Sequence, residues 1–130
     1  MGPVNWLAVF LAAALAVAVA IVWNGPLFRV GKPMLGGEDA PKGNYGLVMF
    51  VMLISSAMLG HNLARIGPET LSAKPWLYFM QSAGLAIAFV IPAVWLTNLR
   101  RGADQRARLV DTGMWLAAYL AMGATFWALG

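Results

Sequence analysis

Apolar residues fill four runs, at 4–23, 45–65, 76–97 and 111–129, and polar residues gather in the three loops between them. The first run holds about twenty residues, which at about 1.5 Å per helical residue reach about 30 Å, the depth of a bilayer's hydrocarbon core. Its one strongly polar side chain, Asn5, stands at its start, and Asn24-Gly25-Pro26 closes it with turn residues. No positively charged segment precedes it and small-residue sites such as Ala16-Val17-Ala18 lie inside it, so it reads as a retained helix rather than a cleaved signal. The second run ends at Arg65, before Gly67-Pro68, and 68–75 reads as a short exposed link. Pro92 lies inside the third run, where a missing N–H predicts a bend. The pattern predicts an all-α integral membrane protein, a single four-helix transmembrane domain over 1–130 with short loops.

Charge adds an orientation. With four spans, the first and third loops share a side, and they carry Arg29, Lys32, Lys42, Arg100, Arg101, Arg106 and Arg108, whereas the opposite side carries only Arg65 and Lys74. Basic residues of short loops stay cytoplasmic, so both termini are expected on the outer, periplasmic side of a bacterial inner membrane. The tryptophans fit two headgroup belts: Trp6, Trp76 and Trp127 at the outer ends of the runs, Trp23, Trp95 and Trp115 at or near the inner ends. Only 11% of the 130 residues are charged and 61% are hydrophobic, more apolar surface than so short a soluble chain can bury. The net charge of +4 belongs to membrane-flanking loops, so nucleic acid is not an expected partner. Cysteine is absent, which excludes disulfides, thiolate metal sites and cysteine nucleophiles.

Small residues recur four apart on three of the runs: Ala12, Ala16 and Ala20; Gly84 and Ala88; Gly113, Ala117 and Ala121. That spacing lets helices approach closely in lipid, either inside one bundle or against another copy or subunit. His61 has Ala57 one turn before it and Arg65 one turn after. It suits three readings: an interfacial histidine bonded to a neighbour, a proton relay, or, with Ala57 clearing space for a flat macrocycle, a tetrapyrrole ligand of the kind seen in light-harvesting polypeptides. Asp111 is the acid nearest a span, with Arg108 a turn before it as an expected ion-pair partner. With Asn24, Lys32 and Asn98 it forms a candidate inner-side polar cluster for an ion or a lipid headgroup. Gln81 and Ser82 are expected to bond across the bundle to Asn5 or His61, as glue rather than catalysis. The loop-three arginines orient the chain and suit anionic lipid. No nucleophile–base pair or metal-ligating set is visible, so no catalytic or metal residue is assigned.

Several short motifs carry a resemblance. Asn5-Trp6-Leu7-Ala8-Val9, Trp23-Asn24-Gly25-Pro26-Leu27-Phe28 with Lys32, Leu96-Thr97-Asn98, Asp111-Thr112-Gly113 and Met122-Gly123 resemble the family of bacterial membrane domains of unknown function numbered seventeen sixty-one (DUF1761). The resemblance covers both ends of the chain better than its middle. It implies a four-helix membrane fold and no particular activity. The chain departs from the family's pattern at Asn24, where the family tends to have tyrosine after Trp23, and at Trp115, where a histidine is frequent. The expectation is a non-catalytic accessory or structural subunit, packing with lipid against other membrane subunits or itself. A small oligomeric transporter using His61, Gln81, Pro92 and Asp111, and a pigment- or haem-contacting subunit using His61, are the alternatives.

Overall fold

The computed structural model describes residues 3–23, 27 and 45–130. Among these, all regular structure is helical. Helix α1 (Trp6–Val22) starts at Asn5, whose side-chain oxygen accepts a hydrogen bond from the Ala8 N–H at 3.1 Å, the standard satisfaction of an otherwise orphaned first-turn donor. Helix α2 spans Tyr45–Ile66 and α3 spans Pro68–Ala73. The third long rod runs from α4 (Trp76–Leu85) through a π-helical segment (Ala86–Val90) into α5 (Ile91–Arg100), and α6 covers Gln105–Leu129. Three helical stretches, Gly46–Ile66, Trp76–Arg100 and Gln105–Leu129, are long and apolar enough to cross a membrane, and Trp6–Val22 is a shorter apolar helix.

Local chemistry explains where these elements depart from the hydropathy pattern. The link expected at 68–75 is largely a helical turn: Gly67 takes φ +94°, Pro68 supplies the preset φ of a first helical residue, and Leu71 is buried and anchors the turn. Helix α6 begins at Gln105, six residues before the apolar run, because Asp104 accepts from the Ala107 N–H at 2.8 Å and the polar first turns of arginine and glutamine are good helix formers. Pro92 does not break the third rod. A proline ring collides with the carbonyl four residues back, and here the turn before it widens, so that the Ile91 N–H bonds to the Ala86 carbonyl five residues back.

Helices α1 and α6 form a central antiparallel pair. The Asn5 amide donates to the Leu129 carbonyl at one end (3.2 Å), and the Trp23 indole donates to the Val110 carbonyl at the other (2.9 Å). Helix α2 packs on α1 and also touches α6, where the Tyr119 hydroxyl donates to Ser55 Oγ at 3.1 Å; the third rod packs on α6, and α2 meets the rod through α4. The first and last described residues therefore share one end of the bundle with α3, here the terminal end. The α5–α6 turn marks the opposite, loop end.

On α1 the buried residues are small and the large ones point outward. Ala8, Ala12, Ala13 and Ala16 are fully buried on α1, while Leu7, Phe10, Leu11 and Leu15 on the same helix are exposed. In water this would be inverted. In lipid, outward leucine and phenylalanine have nothing to gain by burial, and close backbone approach supplies the packing energy. Helix α2 meets α1 at Gly60, where an added Cβ would lie 2.9 Å from Val9 Cγ2, and the buried Ser56 hydroxyl donates to the Val9 carbonyl at 2.8 Å. Helix α6 meets α4 at Gly123, where an added Cβ would lie 3.0 Å from the Tyr78 carbonyl oxygen.

Candidate functional site

The densest polar constellation is at the loop end. Gly102, at φ +75°, turns the chain from α5 to α6, and the Ala103 N–H returns to the Asn98 carbonyl at 2.9 Å. This sets Asn98, buried on α5, against Asp111 on α6, and its amide nitrogen donates to Asp111 Oδ2 at 2.7 Å. The expected Arg108–Asp111 ion pair is not formed. Arg108 Nη1 instead donates to the Ala103 carbonyl at 3.0 Å and the guanidinium lies 5.0 Å from the centre of the Trp95 ring, a cation–π contact. A loop carbonyl and an aromatic face hold the arginine, leaving the carboxylate to a neutral donor. Arg108 Nε is buried without a partner among the described residues. Trp23 completes the cluster, its indole lying against α6 where Gly113 has no side chain; an added Cβ would be 3.0 Å from Trp23 Cζ2. Asn24 and Lys32, the other expected members, lie outside the described residues.

This arrangement joins α5 to α6. The Asn98 amide nitrogen and Asp111 Oδ2 make the bond across α5 and α6, and Thr112 donates its hydroxyl to the Arg108 carbonyl of its own helix at 2.8 Å. Among the described residues no group of three or more metal-ligating side chains converges.

At the terminal end, His61 is exposed on α2. Its Nδ1 lies 2.7 Å from the Ala57 carbonyl oxygen; a carbonyl can only accept, so Nδ1 donates and, in the neutral ring, the Nε2 lone pair faces outward. Trp6 stands edge-on to the imidazole with ring centres 5.7 Å apart. The expected bonds from Gln81 or Ser82 to Asn5 or His61 are not made: Asn5 serves Ala8 and Leu129, and Ser82 donates to the Phe79 carbonyl. His61 and Asp111 stand at opposite ends of the bundle, and Pro92 is on its outer surface.

The family model described as "Protein of unknown function (DUF1761)" matches residues 7–127. The chain belongs to the DUF1761 family. No curated protein and no solved structure matches it. The residues that carry the DUF1761 resemblance become contacts in this fold. Trp23, Asn98, Asp111 and Gly113, far apart in sequence, meet at the loop end, while Asn5 and Gly123 tie the terminal half of α6 to α1 and α4.

The small-residue faces of this DUF1761 chain have two different settings. Ala12, Ala16 and Ala20 are buried inside the bundle, and Gly113, Ala117 and Ala121 are partly covered on α6. Gly84 and Ala88 face outward, and among the described residues nothing beyond its own helix lies within 4 Å of a Cβ added at Gly84. Only 11% of the most apolar stretch of the third rod is buried by the rest of the chain, against 33% for α2 and 39% for α6. Trp6, Trp76 and Trp127 are exposed, and Trp23, Trp95 and Trp115 are half-buried.

Proposed function

We propose that this protein is a non-catalytic, four-span inner-membrane protein that acts as an accessory or structural subunit and associates within the lipid, with a larger membrane complex or a second copy, through its third rod. The observation that carries this reading is the bareness of Trp76–Arg100, with Gly84 open on its outer face. A span that its own chain leaves uncovered, with a small residue facing out, is suited to close helix–helix contact. Transport by a single chain finds little support, because Met52, Leu59 and Met122 are fully buried and fill the space between the helices. Both described chain ends on the outer side, with the loop-end arginines cytoplasmic, follow from the basic-residue asymmetry.

The natural absence of cysteine makes the test clean. Single cysteines replace Gly84 or Ala88 on the third rod, or Leu15 on the exposed face of α1, and a short thiol crosslinker is applied to native membranes. Discrete crosslinked species from 84 and 88 but not from 15 support the reading. Monomer alone at all three positions removes it. Gly84→Leu is the companion variant, blocking association without touching the core.

A second reading is favoured by one observation, the anchored Nδ1 of His61 with its outward Nε2. Ligating histidines fix their ring through the other nitrogen in this way. A tetrapyrrole held there would co-purify with the wild-type chain and be lost in His61→Ala; colourless wild-type protein from native membranes excludes it.

A further inference from the structure

Gln81 is a polar side chain on the third rod that the fold does not use. It lies five residues into the rod from Trp76, about 7.5 Å along the helix axis and so below the level at which an indole marks the headgroup boundary. Asn5 and His61, the partners its sequence position suggested, are engaged elsewhere: Asn5 with Ala8 and Leu129, and His61 Nδ1 with the Ala57 carbonyl. Among the described residues the Gln81 amide makes no hydrogen bond. The side chain is only half-buried, and neither its nitrogen nor its oxygen is sealed inside the bundle. At a water-facing surface such an amide is hydrated. Facing acyl chains it has neither donor nor acceptor to meet, and an unmet polar group there is costly.

Its position joins it to the bare face of the rod. Gly84 follows Gln81 by three residues and Ala88 lies four further on, so the amide stands above the two small outward residues on neighbouring positions of one face. The bareness of the rod requires a cover without naming it, whereas the amide carries chemical information. A primary amide holds N–H donors and a carbonyl acceptor together, so it is complementary to a second primary amide. Copies of one chain insert the same way round, because the same loop charges direct each of them. A two-fold axis along the membrane normal then sets every residue at the depth of its own equivalent. One Gln81 therefore meets the other, nitrogen to oxygen in both directions, and both amides are satisfied at once. A different subunit has to supply a polar group at this depth separately.

We propose that the partner of the third rod is a second copy of this chain, in a parallel two-fold dimer where Gly84 and Ala88 let the rods approach and the two Gln81 amides bond to each other. The inference rests on the association reading above and narrows it to one partner.

Sedimentation equilibrium of the full chain in density-matched detergent micelles tests it. A monomer–dimer equilibrium is expected for the wild type. Gln81→Met keeps the side-chain length, removes both amide bonds and should weaken dimerisation about eight-fold, the size of two interhelical hydrogen bonds in a bilayer. Gln81→Asn retains a self-complementary amide and should lie closer to wild type than to Gln81→Met. Because Gln81 is bonded to nothing among the described residues, unfolding of each variant by sodium dodecyl sulfate should match wild type, which separates lost pairing from lost folding. A wild-type chain that stays monomeric at every concentration overturns the proposal, as does a dimer equally strong in Gln81→Met. Cysteine crosslinks from positions 84 and 88 in native membranes tell the two readings apart. Species of twice the chain's mass support the dimer. Species of any other mass keep association through the third rod and exclude a second copy as its partner.

Discussion

The same substitution, glycine to alanine, should have opposite signs at two positions of this bundle. At Gly123 an added Cβ would collide with the Ser82 hydroxyl and lie 3.0 Å from both Ser82 Cβ and the Tyr78 carbonyl oxygen, closer than ordinary van der Waals contact. Neither neighbour is the free end of a flexible chain: one is a buried short side chain and the other is the backbone of α4. Helix α4 must shift away from α6, loosening the contact that holds the third rod. Overpacking of this kind costs about 1–3 kcal/mol, against about 1 kcal/mol gained from alanine's better helix propensity, so Gly123→Ala should be net destabilising by up to about 2 kcal/mol. Gly84→Ala meets nothing within 4 Å and retains only the propensity gain. The two variants should therefore differ by about 2 kcal/mol, close to a thirty-fold difference in the folding equilibrium. Titration with sodium dodecyl sulfate in mixed micelles, followed by tryptophan fluorescence under dilute, monomeric conditions, reads this directly. Adding Ser82→Ala to Gly123→Ala removes the hydroxyl but leaves the Tyr78 carbonyl in place, so recovery should be partial. Gly123→Ala at or above wild-type stability would refute the close approach of α4 and α6.

Three further outcomes are expected. Asn98→Ala removes the donor that meets Asp111 at 2.7 Å and should cost about 1.5–3 kcal/mol, near the lower figure because the pair is only part-buried; an unchanged midpoint in the same titration would show that solvent replaces the amide at no cost. Trp23→Phe loses both the bond to the Val110 carbonyl and the outer indole ring that packs on Gly113, and in the same titration should lower stability by more than the ~1 kcal/mol of the hydrogen bond alone. Pro92→Ala restores an N–H to the third rod and lets the widened Ala86–Val90 turn tighten to α-helix; spin labels at the exposed Phe79 and Leu96 should change their separation, and identical distance distributions would mean that the π segment does not depend on proline.

The polar residues show how far local pattern reaches. Asp111 beside a span and Arg108 one turn before it invite an ion pair, since helical spacing places them on neighbouring positions. Spacing says nothing about competitors. Arg108 finds the Ala103 carbonyl and the Trp95 ring, both positioned by the Gly102 turn, and Asp111 finds Asn98 across the helix pair. Likewise Ala12-Ala16-Ala20 and Gly84-Ala88 carry the same spacing, yet the first set is buried between helices and Gly84 is open. Nothing in a four-residue repeat distinguishes an inward face from an outward one.

What the amino-acid order determined by itself is local and cumulative. Hydropathy summed over about twenty residues declares apolar helices, because in lipid each backbone amide must be satisfied within its own segment. Short motifs at both ends declare the family, which the match over residues 7–127 establishes. Asn5 and Asp104 begin their helices through bonds that span only three residues. The tertiary structure decided everything that depends on which distant residues meet: the antiparallel pairing of α1 with α6 through Asn5–Leu129 and Trp23–Val110, the close approach at Gly123 and the bare face of the third rod. The physical reason is that lipid leaves the large apolar side chains indifferent to facing inward or outward. Backbone proximity at a few small residues and a few hydrogen bonds therefore choose the arrangement, and their partners lie tens of residues away along the chain.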